Sequence, residues 1–106
     1  FEEGMAEYIS RRYFLTDEEY AAEKETNRIL SALYDEKFGR PKLNDFSRST
    51  YGRDIVHIFY AYWRSFLAVD AAAEKYGGNA LKVFESYRRW YDEGAKCSLE
   101  NWLDNI

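Results

Sequence analysis

Between Thr50 and Tyr76 the residues Ile55, Val56, Phe59, Tyr60, Tyr62, Trp63, Phe66, Leu67 and Val69 surround a helix almost completely. A helix that is apolar on most faces has to be packed on most faces. The segment therefore predicts a long central helix with other helices around it. No stretch of the chain alternates apolar and polar residues as a strand does, and the single proline, Pro41, lies in a connection. The fold class expected is all-α, with about five helices around the central one.

The remaining helices are marked by their ends. The first is expected from about Glu3 to Phe14, with Met5, Ile9, Arg12 and Tyr13 on one side and Glu3, Glu7 and Arg11 nearly opposite. Thr16 and Glu19 have the spacing of a capping box, and Leu15 and Tyr20 that of a hydrophobic staple, so a second helix starts at Asp17. Its expected apolar stripe is Tyr20, Ile29, Leu30, Leu33, Tyr34 and Phe38, and Gly39 before Pro41 ends it. Arg40 to Thr50 has no helical period and reads as a loop of eleven residues, long enough to suggest function. Thr50 caps the central helix, Gly77 and Gly78 end it, Asn79 caps the fourth helix, Gly94 closes that one, and Ser98 caps a short last helix.

Composition narrows the partners. A net charge of -4 argues against a nucleic-acid partner, which needs a clustered basic surface. No run of eighteen apolar residues exists, so no membrane span is expected. One cysteine, Cys97, excludes an internal disulfide and leaves the compartment open. Aromatic residues make up 19% of the chain, enough large rings to build a core in a single small domain. The chain begins at Phe1 inside a helical pattern, so residues 1–106 are expected to be one helical subdomain of something longer.

The opening FEEGMAEYIS bears on chemistry. A catalytic zinc takes three protein ligands and an open position, often with two His from an HExxH helix, whereas this chain has a single His. Acidic residues such as Glu2 and Glu3 are also what any helix N-terminus favours, by about 0.3–1 kcal/mol each. Glu3, Gly4, Met5 and Ala6, followed by Glu7, nevertheless resemble the Glu-Gly-aromatic-Ala/Thr helix of gluzincin zinc peptidases, with Met5 in place of the aromatic residue. The chain is most similar to the C-terminal helical part of the catalytic domain in the glycyl aminopeptidase family, within the wider aminopeptidase N clan. Tyr51-Gly52-Arg53-Asp54 lies where that family has a Tyr, a basic residue and Gly at the start of a long apolar helix, and the order of helices is similar along nearly the whole chain.

This resemblance implies a fold like the helical subdomain of thermolysin-like metallopeptidases. It also implies Glu3 as the third zinc ligand, Glu7 as the carboxylate orienting a zinc-bound His, and Tyr51 as donor to the oxyanion of a tetrahedral intermediate. A neutral phenol, with an ordinary pKa near 10, suits that last role. The cofactor implied is zinc in the full-length parent, with none expected for this chain alone. The partners implied are a peptide substrate and an upstream catalytic half bearing HExxH. Arg53 and His57, with Arg64, form a polar stripe on the central helix that serves either substrate or structure, and Tyr51 is equally readable as an amphipathic rim residue. The alternative is a noncatalytic helical interaction module or a degenerate peptidase relative, docking through exposed aromatics such as Trp90 and Trp102.

Overall fold

The computed structural model describes residues 1–39 and 55–106, leaving aside the side chains at positions 56 and 57. Among them are five helices and no strand: α1 (Glu2–Phe14), α2 (Asp17–Phe38), α3 (Ile55–Lys75), α4 (Ala80–Asp92) and α5 (Leu99–Asn105). The all-α expectation is met. The expected loop and the Thr50 cap fall outside the described residues.

The helix ends follow from local chemistry. Thr16 accepts a hydrogen bond from the Glu19 amide at 3.2 Å while the Glu19 carboxylate accepts from the Thr16 amide at 3.1 Å, so the capping box is complete. Asn79 and Ser98 accept from the amides of Lys82 and Asn101, at 3.3 and 3.1 Å. After Lys75 the chain turns through Gly77 and Gly78, whose φ of +66° and +87° a side chain resists, and the Gly78 amide returns to the Ala73 carbonyl at 2.8 Å.

The α3 helix packs against α1, α2 and α4. It supplies Phe66, Val69, Ala72 and Ala73 to a core completed by Tyr8, Tyr20, Val83, Leu99 and Trp102. A smaller cluster joins Tyr60 and Ala61 to Tyr34 and Trp63. Phe1 stacks on Tyr87 at 4.9 Å and meets the edge of Trp102 at 5.3 Å, which pins the start of α1 to α4 and α5.

Two helix faces differ from the expected ones. In α1 the buried positions are Gly4 and Tyr8, whereas Ile9 and Tyr13 are 47% and 82% exposed. The helix is rotated because Gly4, which lacks a Cβ, lets the backbone of α1 approach the Ser65 carbonyl of α3. In α2 the buried residues are Tyr20, Asn27 and Ser31, while Ile29, Leu33 and Phe38 face outward. Here Asp70 sets the face. Its carboxylate is only 3% exposed, and a buried charge is tolerable only when paired and hydrogen-bonded. Tyr20 donates its hydroxyl to Asp70, and Lys24 reaches it at 2.6 Å and Glu74 at 2.8 Å. Both donors lie on the face of α2 that also carries Asn27 and Ser31.

Candidate functional site

The α1 helix presents Glu3, Ala6, Ile9, Ser10 and Tyr13 on the side away from Gly4 and Tyr8. Along this side, Met5, Ala6, Ile9 and Ser10 form with Phe84 of α4 an open apolar groove of about 500 Å³. A second hollow of about 380 Å³ continues past Ile9 to Tyr13, Gly78 and Ala80. The apolar character of this surface includes Phe14 at 77% and Leu81 at 64% exposure.

Glu3 sits in the first turn of α1, exposed, one turn before Ala6. It makes no hydrogen bond or ion pair with a described residue, so its carboxylate is available to a cation. Glu7, one turn on, is half-buried and is held by Arg11, which donates to its carboxylate and stands 3.5 Å from Glu23 of α2. The Arg11 guanidinium also lies 4.5 Å from the centre of the Phe66 ring. Glu7 is therefore oriented by a cation that is itself fixed between three helices.

Glu3 and Glu7 are the two expected site residues that share one helix. Tyr51 and Arg53 lie outside the described residues, and His57 belongs to the first turn of α3 with its side chain outside them. Arg64, the other member of the expected polar stripe, is 8% exposed and approaches Glu100 at 3.6 Å and the Tyr60 hydroxyl at 3.5 Å. Among the described residues no three His, Cys, Asp or Glu side chains are grouped as a metal set. No described helix is long and apolar enough to cross a membrane.

The aromatic pair expected at a docking face is placed otherwise. Trp102 is 7% exposed and donates its indole N–H to Ser86 at 3.2 Å, and the half-buried Trp90 donates to the Cys97 carbonyl at 3.1 Å. Both belong to the core. Exposed apolar residues lie instead along α1 and the start of α4, and also on α2 (Ile29, Leu33, Phe38) and the first turns of α3 (Ile55, Phe59). Sequence reasoning also missed the Tyr20, Asp70 and Lys24 network. Its signal was an acid at position 70 within an apolar helix, which has to find a partner once buried.

In comparisons with known proteins, no family model, no curated protein and no solved structure matches this chain.

Proposed function

We propose that the chain is the C-terminal helical half of a zinc-dependent peptidase catalytic domain, with Glu3 as the third zinc ligand and the HExxH pair supplied by an upstream segment. The observation that supports it is the position of Glu3. A carboxylate without a partner among the described residues projects from the first turn of a helix whose other side is fixed to α3 through Gly4, and an apolar groove suited to another helix runs beside it. Glu7, one turn on and steadied by Arg11, would accept a hydrogen bond from a ligating imidazole. Bound zinc would supply an activated water for attack on a peptide carbonyl. Tyr51 would donate to the developing oxyanion.

In the full-length protein, Glu3→Gln is expected to lower zinc content measured by atomic absorption. Tyr51→Phe is expected to leave zinc in place and to lower peptide turnover by about 10²-fold or more. Unchanged zinc content in Glu3→Gln, or a parent sequence without an HExxH or equivalent His pair before Phe1, would remove the active-peptidase assignment. A noncatalytic interaction module is favoured by one observation, the exposed apolar residues Ile9, Tyr13, Phe14 and Leu81. It predicts that Ile9→Glu abolishes association with a partner while zinc plays no part.

A further inference from the structure

On a different face of α3 from the one that meets α1, a groove of about 490 Å³ runs between α2 and α5. Ala32, Ala68, Ala71 and Ala72 line it, and their small side chains leave the space open. Ser31 also lines it, is 6% exposed, and its hydroxyl has no hydrogen-bond partner among the described residues. Buried hydroxyls are nearly always satisfied, so an unpartnered one facing an open groove points to a ligand or water there. The guanidinium of Arg64, which already meets Glu100 and the Tyr60 hydroxyl, lines the same groove and can share its N–H donors with a ligand, and the exposed carboxylate of Asp104 stands on the α5 side.

The lining charges balance, with Arg28, Arg64 and Lys75 against Asp35, Glu100 and Asp104. A wall that carries both signs without a net charge matches a ligand that also carries both, better than it matches a simple anion or cation. The volume is that of a small-molecule site, and the alanine methyls suit an apolar body. We propose that this groove binds a free α-amino acid with a large apolar side chain. Its carboxylate accepts from Ser31 and Arg64, its ammonium group faces Asp104, and its side chain lies along the alanines. The site is separate from Glu3 and stands or falls independently of the peptidase assignment.

L-phenylalanine, 3-phenylpropionate and 2-phenylethylamine, titrated into the protein and followed by amide chemical shifts, separate the possibilities. L-phenylalanine is expected to saturate, with shifts confined to Ser31, Ala68, Ala71 and Leu103, and each analogue lacking one charge to bind about tenfold more weakly. Ser31→Ala should weaken L-phenylalanine and 3-phenylpropionate and leave 2-phenylethylamine unchanged. Ala71→Phe, at an exposed position that tolerates a larger side chain, should block all three with helical circular dichroism retained. Equal affinity for the three compounds, shifts that never saturate, or undiminished binding to folded Ala71→Phe would overturn the assignment.

Discussion

A methyl group placed on Gly4 would lie 2.3 Å from the main-chain oxygen of Ser65 and 2.5 Å from its carbonyl carbon. The obstacle is backbone, which cannot rotate aside as a side chain can. Gly4 is thus a point where the backbones of α1 and α3 come close, and a face of α1 carrying Gly4 turns inward there.

Gly4→Ala is expected to destabilise the fold. In an exposed helix interior the same change stabilises by about 1 kcal/mol. Here α1 must move off α3 to relieve the clash, and overpacking of this kind costs roughly 1–3 kcal/mol. A lowered urea midpoint with an unchanged slope is the expected result, and a raised midpoint would contradict the packing described.

Asp70 holds α2 on α3 through Tyr20 and Lys24. Asp70→Ala leaves the Tyr20 hydroxyl buried without its acceptor and Lys24 with Glu74 alone, so a loss of roughly 3 kcal/mol is expected. Tyr20→Phe removes one donor from a carboxylate that keeps its lysine, for a loss of about 1.5–3 kcal/mol. Because the two changes act on one network, the double variant should lose less than the sum, which chemical denaturation of the full cycle measures.

Alkaline pH should act on the same contacts. Burial, and then the hydrogen bond to Asp70, raises the Tyr20 phenol above its ordinary value of 10.0, and burial followed by Asp35 pushes Tyr60 up to about 12. Hydrogen bonds to Asp70 and then Glu74 raise the Lys24 ammonium above 10.5. Each group holds its proton more tightly folded than unfolded. The stability this contributes is complete below about pH 10 and is lost as pH climbs through the folded values. The melting temperature is expected to hold level up to about pH 9.5 and to fall steeply beyond 10, with phenolate absorbance at 295 nm rising alongside. A Tyr20→Phe, Tyr60→Phe variant should show a shallower decline.

Much of the fold was legible because its signals are local. The Thr16 and Glu19 box, the Asn79 and Ser98 caps and the Gly77-Gly78 stop each act within a few residues, and each stands in the structure where the sequence put it. The inward faces of α1 and α2 were not legible in the same way. Hydrophobic periodicity favoured Ile9 and Leu33, which are exposed, over Gly4, Asn27 and Ser31, which are buried. Of the candidate site, the sequence alone grouped Glu3 and Glu7 one turn apart on one helix, since that needs nothing beyond helical spacing.

The sequence by itself therefore determined the helical class, the helix termini and the shared helix of Glu3 and Glu7. Tertiary structure alone decided which faces of α1 and α2 turn inward, that the indoles of Trp90 and Trp102 donate within the core, and that Glu3 has no partner among the described residues while Glu7 is tied to Arg11. The reason is physical. Caps and turns are satisfied by neighbours along the chain, whereas a buried carboxylate such as Asp70 and a backbone contact such as Gly4 to Ser65 find their partners only across the fold.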